Sequence, residues 1–159
     1  MYRIGYSEDI HQLVENRKLM IGGVHIPYHL GEKAHSDGDV LLHAIAESIL
    51  GALALGDLGK HFPDTDEKYK DYDSCLILKA VVEMMESKGY EINNIDVTII
   101  AEKPKLAPYI SEMRAMIATL LKASVDCVSI KACTNEGIGE IGKNEAIESH
   151  CVCLLRKKV

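Results

Sequence analysis

The chain has no tryptophan and a single phenylalanine, Phe62, so the place where that one ring stands becomes informative. None of its five cysteines forms a C-x-x-C pair, and their number is odd. A disulfide framework is therefore not expected, and a reducing cytoplasm fits. No apolar run approaches the length of a membrane span, and residues 1–5 lack a signal-peptide core, so no membrane partner is expected. Clustered positive charge is missing as well. With 18 Lys and Arg against 24 Asp and Glu, the net charge of −6 argues against nucleic acid as the main partner. It leaves room for a small phosphorylated ligand whose charge is offset by divalent metal. There is no internal repeat. What is present, 159 residues at 47% hydrophobic and 26% charged, reads as one soluble domain over 1–159.

The most informative stretch is AHSDGDVLLH at 34–43. It passes from a polar loop into an apolar helix predicted over 40–54, with Ser36, Asp37 and Asp39 as candidate N-caps. Asp39, His43 and Glu47 fall at i, i+4 and i+8, which makes one polar stripe on an otherwise Leu, Ile and Ala helix. Free N–H groups at a helix start, with a histidine on its first turn, suit an anionic ligand and a metal.

Upstream, residues 2–7 read as a strand running into Asp9-Ile10-His11. In extended chain, residues two apart point the same way, so Asp9 and His11 present a carboxylate and an imidazole together. KLMIGGVHIP at 18–27 reads as a hairpin turned on Gly22-Gly23, with His25 structural. GDLGKHFPDTD at 56–66 is too rich in Gly, Pro and Asp for a helix interior. In it Phe62 either tacks the loop to the core or lines a pocket.

Asp73-Ser74 caps a second helix that Gly89 stops, with Leu76, Leu78, Ala80, Val81 and Met84 as its buried stripe. DVTIIA at 96–101 is a strand. The two prolines of EKPKLAP at 102–108 fix an extended loop able to present backbone groups to a base edge. A helix follows over 109–122 with Ile110, Met113, Ile117, Leu120 and Leu121 inward. VSIKAC at 128–133 is a strand, 138–145 a glycine-spaced loop, and 146–156 a final strand. Cys151 and Cys153 alternate on that strand as small core residues. These elements make an α+β fold, a single mixed sheet with helices packed on one face. The last strand is apolar on both sides, which favours an oligomer burying the sheet's second face.

Together, the D-x-H triplet, HSDGD with a downstream His, the GD-x-GK-x-FPDTD block, the 101–108 loop and KACTNE at 131–136 closely resemble the 2-C-methyl-D-erythritol 2,4-cyclodiphosphate synthases of non-mevalonate isoprenoid biosynthesis. The resemblance covers essentially the whole chain. It implies a homotrimer with the sheets facing its centre and active sites between neighbouring subunits. The implied reaction converts 4-diphosphocytidyl-2-C-methyl-D-erythritol 2-phosphate to the cyclic diphosphate and releases CMP.

By the same resemblance, Asp9, His11 and His43 are zinc ligands, one ion per subunit, and Glu136 is the protein ligand of a second ion, Mg²⁺ or Mn²⁺, arriving with substrate. His35 and Thr134 are implied as transition-state stabilisers, and Ser36 faces phosphate. Asp57, Gly59, Phe62, Asp64 and Asp66 belong to the segment that cradles the methylerythritol. Ala101, Lys103, Pro104, Lys105, Leu106 and Ala107 belong to the cytidine loop. Cys133, Asn135 and Lys143 complete the implied substrate contacts.

The match to the family is weakest around and after Glu136. Asn135 stands for a Thr, Glu140 for an aromatic and Lys143 for an Arg, while Glu47 replaces an Asp. Lysine keeps the charge but loses the bidentate fork, which argues against the family's central isoprenoid-diphosphate site here. Two alternatives stand beside the synthase reading: a zinc-dependent phosphodiesterase or phosphatase, and a metal- or isoprenoid-binding trimer without activity.

Overall fold

A computed structural model describes residues 1–159. In chain order the elements are β1 (Tyr2–Glu15), β2 (Leu19–Ile21), β3 (Val24–Ile26), β4 (Leu30–Glu32), α1 (Val40–Ala52), α2 (Leu58–His61), α3 (Ser74–Ser87), β5 (Tyr90–Ile100), α4 (Ile110–Leu121), β6 (Val128–Cys133), α5 (Gly139–Gly142) and β7 (Ala146–Lys157). Five strands form one mixed sheet in the order β4-β1-β7-β5-β6, with only β5 and β6 parallel. The hairpin on Gly22-Gly23 forms as expected, but β2 and β3 make a separate ribbon.

Strand lengths differ most from the sequence expectation. β1 continues past Ser7 to Glu15 because β7 supplies a ladder from Tyr2–Arg156 to Gln12–Ala146, after which Leu13–Glu15 pair with β4. A polar run such as Glu8, Asp9, His11 and Gln12 has little strand preference of its own; the partner's hydrogen bonds override that. β5 likewise starts at Tyr90, not Asp96, held by β7 across an irregularity between Ile92 and Asn94. The 138–145 loop contains the short helix α5.

Helix α1 lies against β1 and β7, α3 against β5, and α4 against β6. Leu41, Leu42, Ile45, Ile49 and Leu50 are fully buried together with Cys151, Cys153 and Leu155. In α3 the buried side chains are Ile77, Leu78, Val81, Val82 and Met85, whereas Leu76 is exposed. The helix is rotated so that the 77/81/85 and 78/82 rows face inward. Asp73 alone caps it, accepting from Cys75 N–H; the Ser74 hydroxyl turns inside.

The other side of the sheet carries no helix. Ile4 (70% exposed), Tyr6, Ile10 and Val152 stand open there. Exposed apolar side chains grouped on one sheet face are surface of the kind that oligomers cover.

On the covered side, β1 meets α1 backbone to backbone. A Cβ built on Gly5 would lie 1.9 Å from Ser48 O and 3.0 Å from the Ala52 side chain. Replacing Gly5 with Ala should force strand and helix apart and cost about 1–3 kcal/mol. Thermal unfolding should then fall by roughly 3–10 °C; an unchanged midpoint in a calorimetric scan would contradict so close an approach.

Candidate active site

The strand-to-helix contact decides which side chains meet. Along β1 the residues facing α1 are Gly5, Ser7, Asp9, His11 and Leu13. Asp9 and His11 therefore leave the strand on the side where the first turn of α1 carries His43. Asp9 Oδ2 lies 3.0 Å from His11 Nε2 and 3.3 Å from His43 Nδ1. The two imidazoles stand edge to face at 5.2 Å. All three donor atoms fall within 4.8 Å of one another.

The polar stripe on α1 is shifted from the expected one. Asp39 is completely buried, its carboxylate accepting from Gly22 N–H at 2.9 Å, Gly23 N–H at 2.7 Å and Leu42 N–H at 3.0 Å. Burial pushes this carboxyl up to about 6, with those three N–H groups opposing the rise. Glu32, also buried, accepts from Val40 N–H. Two acidic side chains thus occupy the start of α1, and the expected anion site at that helix end is filled by the protein itself. Of the 40–52 helix only His43, Glu47 and Gly51 reach open space. Glu47 is held by Ser7 Oγ and Leu58 N–H, so it ties the 55–58 connection to the strand.

A cleft of about 280 Å³ opens over the triad, lined by Asp9, His11, His35, Ser36, His43, Glu47, Phe62 and Asp64, with Ala34, Leu58, Tyr69 and Ile77. Arg17 fixes its loop wall, donating to Glu32 O at 3.2 Å and Ser36 O at 2.6 Å. His35 Nε2 lies 3.1 Å from Asp66 O, where it can only donate. Phe62 does both things foreseen for it, lining the cleft while stacking edgewise on Tyr69 at 5.5 Å.

Other implied contacts lie elsewhere. Asp57 Oδ1 accepts from Lys60 N–H and caps α2, Gly59 follows it, and Asp66 caps the turn Glu67–Tyr69; none of these three lines the cleft. Ala101, Pro104, Lys105, Leu106, Ala107, Cys133 and Thr134 line a different cleft of about 190 Å³, with Glu102 and Ala132. Glu102 is a residue the sequence did not single out. Its carboxylate accepts from Asn135 N–H and Gly137 N–H, tying the loop to the 134–137 turn. Glu136 is exposed and belongs to no group of three metal-ligating side chains; Lys103 and Lys143 line neither cleft. Glu8, Glu148 and His150 form a second donor group on the open sheet face, away from either cleft.

The donor set beside Asp9 suits a metal ion. His11 Nδ1 lies 2.7 Å from Gly38 O and donates to it, which leaves Nε2 facing Asp9 with its lone pair once the ring is neutral. Two nitrogens and one oxygen leave a tetrahedral ion one open position. Without a metal, burial raises the Asp9 carboxyl, but hydrogen bonds and charge from His11 and His43 outweigh it and hold it below the usual carboxylate range. Burial lowers His11, yet Asp9 and Glu32 overcome that and lift it to about 10.

Comparison with known proteins adds to this geometry. Residues 2–156 match the YgbB family. A 2-C-methyl-D-erythritol 2,4-cyclodiphosphate synthase of Chloroherpeton thalassium is 57% identical over 155 residues, 98% of this chain and 99% of the relative. Among solved structures, the bifunctional IspDF of Campylobacter jejuni superposes with a TM-score of 0.95 at 38% identity, over 99% of this chain; the chain spans 42% of that longer protein. The CDP complex of Plasmodium falciparum IspF superposes with a TM-score of 0.88 at 35% identity, over 99% of this chain and 97% of that one.

Because Asp9 and Glu32 lift His11 well above the usual imidazole range when no metal is bound, a metal must displace a proton from it to bind. Calorimetric Zn²⁺ titration in buffers of different ionisation enthalpy should show release of about one proton at pH 7, with affinity rising about tenfold per pH unit from pH 6 to 8. Binding that is independent of pH would remove His11 from the ligand set.

Proposed function

The chain belongs to the YgbB family, and from that membership we propose how its residues carry the family's reaction. The activity is conversion of 4-diphosphocytidyl-2-C-methyl-D-erythritol 2-phosphate to 2-C-methyl-D-erythritol 2,4-cyclodiphosphate with release of CMP, a metal-dependent cyclising step of non-mevalonate isoprenoid biosynthesis. One observation carries the assignment of residues: Asp9, His11 and His43 converge at one point of a cleft whose loop wall holds His35 and Ser36.

The reaction forms a bond from a 2-phosphate oxygen to the β-phosphorus and breaks the bond between that phosphorus and the oxygen of the departing CMP. Phosphate oxygen is already a nucleophile, so no side chain has to deprotonate it. The protein's part is to fold the substrate and offset charge. Zinc at Asp9, His11 and His43 would supply Lewis acidity at a phosphate oxygen, and Mg²⁺ or Mn²⁺ at Glu136 a hard counter-charge brought with substrate.

His35 Nε2 donates to Asp66 O, which fixes the imidazole in the cleft wall beside the position proposed for a phosphate. Ser36 Oγ accepts from Gly38 N–H and lies 3.1 Å from His43 Nε2, which leaves its own proton free for phosphate. Phe62 and Asp64 offer the methylerythritol an apolar wall and a hydroxyl acceptor. Thr134 and Lys105, in the second cleft, serve the cytidine diphosphate end, where fixed backbone groups of 101–107 would select cytosine because other bases leave them unpaired. The CDP complex of the Plasmodium falciparum relative supports a cytidine nucleotide as occupant.

The two clefts share no residue, and the open sheet face carries apolar side chains. Both facts support a homotrimer in which each active site joins the metal cleft of one subunit to the cytidine cleft of the next. A cytoplasmic location fits the free cysteines and the lack of any helix long and apolar enough to cross a membrane.

His43→Ala and Thr134→Val should each reduce kcat by 10²-fold or more, on the order of the loss of one transition-state donor. Mixing the two inactive variants and reassembling them should restore activity at about one quarter of the sites, those built from the intact half of each. Mass-spectrometric detection of cyclic product and CMP reads the result. No recovery from demonstrably mixed oligomers would place the whole site in one chain.

A further inference from the structure

His43 is aimed by groups that lie behind it. While Nδ1 faces Asp9, Nε2 lies 2.9 Å from Ser74 Oγ and 3.1 Å from Ser36 Oγ. The next bond outward decides who donates. The Ser74 hydroxyl donates to Asp37 Oδ1, and the same carboxylate accepts from Ser74 N–H at 3.1 Å and Asp39 N–H at 3.2 Å. A serine has one proton to give. With it committed to Asp37, Ser74 meets the imidazole only as an acceptor, so Nε2 carries hydrogen, and once the ring is neutral it is Nδ1 that keeps the lone pair toward Asp9. Ser74 is completely buried, which excludes water as a substitute partner. Its hydroxyl has no capping duty, since Asp73 caps α3.

We propose that Asp37 and Ser74 are positioning residues which act in series to hold His43 in the one tautomer and orientation able to bind metal. The inference rests on His43 being a metal ligand, and it goes further: the ion's hold depends on α3 and on a loop carboxylate that touches neither ion nor substrate. Groups orienting a ligating histidine typically change metal affinity by about 10–100-fold.

Zn²⁺ affinity of the full-length protein, measured by competition with a chromogenic chelator, tests this in Ser74→Ala, Asp37→Ala, the double variant and His43→Ala, with Co²⁺ visible spectra alongside. Either single change should weaken Zn²⁺ binding about 10–100-fold and alter the Co²⁺ spectrum. The double variant should be no weaker than the weaker single, as groups in series are non-additive. Ser74→Thr, which keeps the hydroxyl, should restore the affinity. If Ser74→Ala does not fold, Asp37→Ala carries the test alone, because it frees the Ser74 proton to point at Nε2. Additive losses, or parent affinity in both single variants while His43→Ala abolishes binding, would overturn the series arrangement only. Parent affinity in His43→Ala would overturn the metal reading along with it.

Discussion

The site depends on how near β1 comes to α1. At Gly5 the strand presses on the helix carbonyl at Ser48 with no space for a methyl group. Further along the same strand face, Asp9 comes within 3.3 Å of His43, and His11 reaches both Asp9 and the Gly38 carbonyl in the loop that begins the helix. Core packing and the convergence of the three donor side chains are thus the same contact at two points. The fully buried Leu41, Leu42, Ile45 and Ile49 hold the helix in register with the strand, and the donor atoms inherit that register.

Charge around the first turn of α1 is arranged so that the helix end is satisfied from within. Asp39 binds the hairpin glycines and the helix N–H groups, and Glu32 takes Val40 N–H. This end of α1 is therefore not free to receive an anion, and the open groups of this cleft are side chains.

One chain carries two separate clefts. The first gathers Asp9, His11 and His43 beside the Phe62 wall; the second, at the 101–107 loop with the 133–134 edge, has a lysine and a prolyl loop. Glu102 ties that loop to the turn on which Glu136 stands. The sheet face opposite the helices carries exposed apolar side chains of the kind that oligomers cover.

Much of this was written in local sequence. Period-two placement of Asp9 and His11, the glycine-turned hairpin, the helix beginning near Val40, and the alternation that buries Cys151 and Cys153 each follow from spacing alone. The full lengths of β1 and β5 do not, because their polar stretches are extended only by virtue of the β7 ladder. Nor could spacing reveal that Asp39 turns into the core while Glu47 faces the cleft, or that Asp57 and Asp66 cap turns outside it. Spacing is equally silent on Ser74, which faces His43 and does not cap α3, and on what Glu32 and Glu102 bind. These partners lie away from them along the chain, and such a hydrogen bond has no signature in sequence. Residue type and period determined which side chains were available for chemistry. Tertiary packing alone decided which of them meet, since metal-ligand geometry requires contacts a few ångströms long between strands, helices and loops that the chain itself keeps dozens of residues apart.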